Sequence, residues 1–170
     1  LGNFNLPTGL GELTTIGAPA SFASSPAVSG LCPGNALTLT VVGAPAAATY
    51  QWQYRPVAGA WTDLTNGAHD LRSSVAGATT PVLSLTTLTV LDAGSYRCAI
   101  TSACGTDFTN PSALTLCEGD SDCDADTDSD DIVTFFGFWD AGDSKADADG
   151  DGDTDSDDIV TFFGSWDGGC

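Results

Sequence analysis

An offset of 27 residues superposes Asp124–Gly137 on Asp151–Gly164, and the eleven-residue block Thr-Asp-Ser-Asp-Asp-Ile-Val-Thr-Phe-Phe-Gly is identical at 127–137 and 154–164. Such a duplication makes two copies of one small unit that must share a core. Around the start of each block the acids alternate. They are Asp120, Asp122, Asp124, Asp126, Asp128 and Asp131 in the first copy, and Asp147, Asp149, Asp151, Asp153, Asp155 and Asp158 in the second, at positions 1, 3, 5, 7, 9 and 12 of a twelve-residue loop. A hard cation takes about six to eight oxygens, and alternate residues of a tight loop turn successive carboxylates inward. Position 7 adds its backbone carbonyl, and position 12 closes the shell from the start of a helix. Position 6 is Gly152 in the second copy and Ala125 in the first. If that residue takes a positive φ, alanine costs about 1 kcal/mol, so the first loop is expected to bind more weakly. Both loops close on aspartate rather than the longer glutamate, which makes two-oxygen closure harder.

After each loop comes an apolar stripe, Ile132, Val133, Phe135, Phe136 and Trp139 or its copy Ile159, Val160, Phe162, Phe163 and Trp166. Its i, i+3, i+4, i+7 spacing is one face of a short helix. Nothing of helical length precedes either loop, since Glu118-Gly119 and Asp143–Ala146 are too short. The ligand spacing is that of an EF-hand, and a repeated unit of loop plus one helix resembles a dockerin over residues 117–170. The resemblance implies two calcium ions on the twelve aspartates named above and docking to a protein partner, either a cohesin-like receptor or another copy of the chain. Cys117, just before the first ligand, and Cys170, closing a Gly-Gly-Cys end, match dockerin-like modules of secreted bacterial proteins. A disulfide clasp between them is expected, because a module this small benefits from a staple. Cys123 stands at loop position 4, which points outward and is Gly150 in the other copy, so it is a candidate for bonding another domain or another chain.

Composition places the boundary. Of the 23 acids and four bases that give the chain its charge of −19, residues 118–170 hold 18 acids against Lys145 alone, whereas residues 1–117 hold five acids against three arginines. We therefore divide the chain into an N-terminal extension or arm at 1–25, a first domain at 26–116 and the acidic module at 117–170. In the first domain Leu37, Leu39 and Val41 alternate with threonines, and period two recurs at Val82–Leu85 and Tyr96–Ile100. Turn chemistry separates these runs at Cys32-Pro33-Gly34-Asn35, Asn66-Gly67 and Asn110-Pro111, which predicts an antiparallel all-β sandwich. Tyr50-Gln51-Trp52-Gln53 and Asp92-Ala93-Gly94-Ser95-Tyr96-Arg97-Cys98 resemble the immunoglobulin-like superfamily, with Trp52 on strand C, Cys98 on strand F and Tyr96 at the tyrosine corner. The strand B position eleven residues before Trp52 is Val41, so the usual inter-sheet disulfide cannot form. Cys98 is then either a buried hydrophobe or paired elsewhere in the domain. Orthodox topology puts Cys32 and Cys104 at opposite ends of the sandwich, although related bacterial domains keep their pairing open.

Several function classes are disfavoured. No apolar run approaches the about 18 residues of a membrane span, and the bases form no cluster for nucleic acid. His69 is the one histidine, so most hydrolase and zinc constellations cannot be assembled and an enzyme is not expected. Asp63, His69 and Asp70 read as solvated turn residues, and Trp61 as a residue covering the sheet. Six cysteines in 170 residues point to an oxidising, secreted or cell-surface location, with fifteen possible full pairings. The expected function is non-catalytic calcium-dependent docking or assembly outside the cell, with head-to-tail self-association locked through Cys32, Cys104 or Cys123. The alternatives are a fibre subunit held by its N-terminal arm and the tail of a larger secreted enzyme anchored by a cohesin-type receptor.

Overall fold

The structure is a computed structural model that describes residues 21–22, 31–42, 44, 47–69, 72–103 and 105–169. Among the described residues ten strands come first: β1 (Ser21–Phe22), β2 (Leu37–Val42), β3 (Thr49–Arg55), β4 (Thr62–Asp63), β5 (Gly67–His69), β6 (Arg72–Ala76), β7 (Val82–Thr86), β8 (Gly94–Ser102), β9 (Gly105–Phe108) and β10 (Ser112–Leu114). Two helices follow, α1 (Ser129–Ala141) and α2 (Ser156–Gly168). The strands form two antiparallel sheets, one in the order β1-β2-β7-β6-β5 and the other β10-β8-β3-β4, with β9 also on β8. Ser21–Phe22 lies within the segment read as an arm and pairs with Val41–Val42 of the chain's own β2; residues 1–20 and 23–25 lie outside the described residues. β9 and β10 occupy successive stretches of one edge of β8, parted at Asn110-Pro111, where proline supplies no N–H to a ladder.

Alternation puts Leu37, Leu39 and Val41 of β2 between the sheets against Leu83 and Leu85 of β7, Trp52 and Tyr54 of β3, and Tyr96, Cys98 and Ile100 of β8. Each such side chain contributes about 1.5–3 kcal/mol by leaving water. Trp52 is fully buried, stands opposite Cys98 in register, and its indole N–H donates to the Thr80 carbonyl at 2.9 Å. Cys98 is a free, buried thiol, the hydrophobe of the two readings, and burial pushes its pKa up to about 11. The Tyr96 hydroxyl donates to the Asp92 carbonyl at 2.8 Å. Asp92, itself buried, accepts from the Ser73 and Thr89 amides and faces Arg72 Nε at 3.2 Å, so its charge is paired and hydrogen-bonded.

The helices pack through Phe135 and Phe162, whose rings stack 4.1 Å apart, with Ala146 and Ala148 beneath them and Ile132, Phe136, Trp139, Ile159 and Trp166 around them. Val133 and Val160, expected on the apolar stripe, are 72% and 73% exposed. Each follows an isoleucine that packs on this core, and the next residue lies about 100° further round the helix, which here carries it to solvent. A parallel bridge between Leu31 and Leu116, followed by Cys117 N–H to the Leu31 carbonyl at 3.1 Å, carries the chain from sandwich to helical module.

Candidate metal sites

The two helix starts and the two acidic loops are one structure. Asp128 and Asp155, at loop position 9, are the helix N-caps, accepting from the Asp130 and Asp157 amides at 2.7 and 2.8 Å. Asp131 and Asp158, at position 12, are the third helical residues and accept in return from the amides of Asp128 and Asp155. The closing carboxylate of each loop is therefore fixed by a capping box with aspartate in the usual glutamate place. Asp131 and Asp158 are each 1% exposed.

Position 1 is held from the other side. Asp120 accepts from the Asp124 and Ala125 amides, and Asp147 from Gly150 and Gly152. Asp158 also takes the Ala148 and Asp149 amides, and Asp131 takes Asp122. These bonds aim the carboxylates inward. Asp120, Asp122 and Asp131 bring one oxygen each within 4.8 Å of one another, as do Asp126, Asp128 and Asp131, and in the second loop Asp147, Asp149 and Asp158, then Asp153, Asp155 and Asp158. Positions 1, 3, 7, 9 and 12 thus converge, with position 12 shared by both groups. Among the described residues the position-5 pair, Asp124 and Asp151, enters neither group; each accepts instead from the amide two residues on, Asp126 at 3.2 Å and Asp153 at 3.1 Å. Position 7, expected to act through its carbonyl, also brings its carboxylate in.

Crowding of like charge raises Asp126 above the ordinary aspartate value, first through Asp124, and Asp153 likewise through Asp151 and Asp155. Asp147 is raised chiefly by burial. The donors are all oxygens, and each carboxylate oxygen that accepts one amide keeps a second lone pair. Cys123, the one sulfur within a loop, is disulfide-bonded and no thiolate. This set suits a hard divalent cation and offers nothing to a soft one.

Position 4 of both loops faces the sandwich. Cys123 is bonded to Cys32, at the approach to β2, and Asn35 Nδ2 lies 3.6 Å from its sulfur. A Cβ on Gly150 would stand 2.8 Å from Val90 Cγ2 and 3.0 Å from Leu91 Cγ, so the second loop abuts the turn before β8. Of the two outlets expected for Cys123, the bond to another domain is the one formed. Cys32 and Cys123 are both consumed within the chain, and neither is left to lock one copy to the next. Cys117 is also disulfide-bonded; Cys104 and Cys170, named in the expected pairings, lie outside the described residues. The module's two ends do meet, since Ser165 Oγ donates to Glu118 at 3.2 Å and Gly119 lies against the backbone of Trp166.

One link escaped sequence reasoning. The Trp139 indole donates to the carbonyl of Asp155 at 3.3 Å, and Trp166 to that of Asp128 at 2.8 Å, so each helix latches the other copy's loop. The equal spacing of each tryptophan from its loop was the available signal, but helical period assigns both to the core. Within the sandwich, Trp61 does cover the sheet, beneath Arg55 and Arg97. Asp63 accepts from Gln53, and Asp70 lies outside the described residues. No described helix is long and apolar enough to cross a membrane, and the disulfide is compatible with an extracellular setting. No protein-family model and no curated protein matches the chain.

Proposed function

We propose that this chain is a secreted, non-catalytic assembly module: an immunoglobulin-like sandwich bearing a dockerin-like unit ordered by two calcium ions. The observation that carries the reading is the repeated convergence of carboxylates on Asp131 and Asp158, two buried acids that also cap helices. Without a counter-charge, each loop concentrates more negative charge than it can neutralise, and the module carries one lysine against its 18 acids. Calcium, when bound, supplies the positive charge and the flexible oxygen coordination that loops of this length favour over the stricter octahedron of magnesium. Asp120 and Asp147 anchor the loop starts, Asp122, Asp126, Asp149 and Asp153 add oxygens, and the capping pairs Asp128–Asp131 and Asp155–Asp158 pass the order of the loop into the helix.

Support for the immunoglobulin-like reading comes from strand order. β1-β2-β7-β6 facing β10-β8-β3-β4 has the connectivity of that sandwich, and the Tyr96 hydroxyl reaches back to Asp92 as a tyrosine corner does. The partner is a protein, either a cohesin-like receptor or a second copy of the chain. Far-ultraviolet circular dichroism with a chelator tests the calcium role: the helical signal should vanish and return with calcium, while the strand signal persists. Helicity unchanged by chelation would overturn the proposal.

A further inference from the structure

Two of the sandwich's three arginines sit side by side on the outer face of the β10-β8-β3-β4 sheet. Arg97 of β8 donates through Nε to Gln53 of β3 at 2.8 Å, and Gln53 in turn donates to Asp63 of β4, a ladder across three strands. The Arg97 guanidinium carbon lies 4.2 Å from the centroid of Trp61 and 4.1 Å from that of Phe108, while Arg55 lies 4.9 Å from Trp61. Among the described residues the one ion pair is Arg72 with Asp92, so Arg55 and Arg97 have no carboxylate partner there, in a chain with 23 acids. A guanidinium held over aromatic rings has lost its rotamer freedom in advance and keeps its terminal N–H groups for a carboxylate. The chain's own module touches the sandwich elsewhere, at Cys32, Asn35 and Val90–Leu91.

The matching surface is on the helices. Asp130, Val133, Gly137 and Asp140 are exposed on one arc of α1, and Asp157, Val160, Gly164 and Asp167 repeat them on α2. A Cβ at either glycine would meet nothing within 4 Å, so the arc is open. Acid and valine on one side meet arginine and aromatic ring on the other. We propose that the Arg55–Trp61–Arg97–Phe108 face of the sandwich docks the acidic helical module of a second copy of the chain. The inference rests on the assembly role proposed above and names its receptor surface. Face and module differ, so the contact is heterologous and propagates head to tail.

Analytical ultracentrifugation of the full, calcium-loaded chain tests it, with calcium binding measured by calorimetry on the same sample. Average mass should rise with concentration and fall as salt is added. Arg55→Glu with Arg97→Glu should weaken association about tenfold or more, and Asp140→Lys with Asp167→Lys, on the opposite surface and away from the loops, should weaken it similarly. All four changes in one chain should restore it. A wild-type chain that binds calcium yet stays monomeric at every concentration would overturn the docking face and leave the calcium reading standing. Association unchanged in both double variants would overturn it as well.

Discussion

The two acidic loops share an identical block and the same acidic positions, yet they reach the same backbone by different means. In the second, Gly150 and Gly152 take φ of 76° and 99°; in the first, Cys123 and Ala125 occupy the same places at 66° and 77°. Left-handed backbone is nearly free for glycine and costs other residues about 1 kcal/mol each. The first loop bears that cost at two positions, and a disulfide from the sandwich holds one of them. The second loop needs no tether, because its glycine lets Val90 and Leu91 approach. Duplicated sequence thus does not mean duplicated energetics. One copy is fixed to the sandwich by a covalent bond and the other by close packing.

The largest effect that would break this comparison is loss of the tether. Cys32→Ser with Cys123→Ser removes a cross-link spanning 91 residues, worth about 2–4 kcal/mol in chains of this kind. Thermal unfolding should show the module melting earlier than the sandwich, with calcium binding by the first loop weakened more than by the second. Equal weakening of both would mean that the tether serves the module as a whole.

Removing the closing acids should come next. Asp158→Ala leaves the Ala148, Asp149 and Asp155 amides without their acceptor, whereas Asp131→Ala leaves two, Asp122 and Asp128. Each variant should lose its own site by about a hundredfold, roughly 2.7 kcal/mol, and the Asp158 variant should lose more helicity. Because Trp139 and Trp166 latch opposite loops, the untouched site should also weaken severalfold. Calorimetry on each variant reads both effects.

Ala125→Gly sharpens the comparison from the other direction. It relieves a positive φ in the first loop and should tighten that site about threefold to fivefold, near 1 kcal/mol, bringing the two affinities together. An unchanged affinity would show that the left-handed turn is not what separates the sites.

The smallest effects are those of pH, and they have the same sign in the two parts of the chain but fall in different pH windows. Asp126 and Asp153 are raised by neighbouring charge, so the cation-free folded module binds protons more tightly than the unfolded chain. Its stability should rise as pH falls from neutral through those raised values, while calcium affinity falls as protons compete. In the sandwich Cys98 is raised from 9.0 to about 11, so its contribution is whole below pH 9.0 and is lost as pH climbs towards 11. Melting curves across both windows would check the signs.

Much of this was legible in the sequence. Alternation at Leu37–Val41 and Tyr96–Ile100 marked strands, because period two leaves one face dry. The grouping of acids was legible in part, because alternate residues of a tight loop turn the same way, and the carboxylates at positions 1, 3, 7, 9 and 12 do converge. What stayed hidden depends on contacts between distant segments. Gly150 reads locally as a turn residue, and nothing near it announces Val90 and Leu91 sixty residues earlier. The Cys32–Cys123 bond could not be singled out from fifteen pairings, since loop position 4 says only that a side chain points outward. Val133 and Val160 were misplaced because Ile-Val is apolar twice in succession, and only three-dimensional packing decides which residue turns inward.

The most direct test of the central claim is a calorimetric titration of calcium into the cation-stripped full chain, with helicity followed in parallel. We expect two binding events of unequal affinity, the tighter belonging to the loop closed by Asp158, and helicity that rises with occupancy. Absence of binding heat, or two binding events with no change in helicity, would contradict the account.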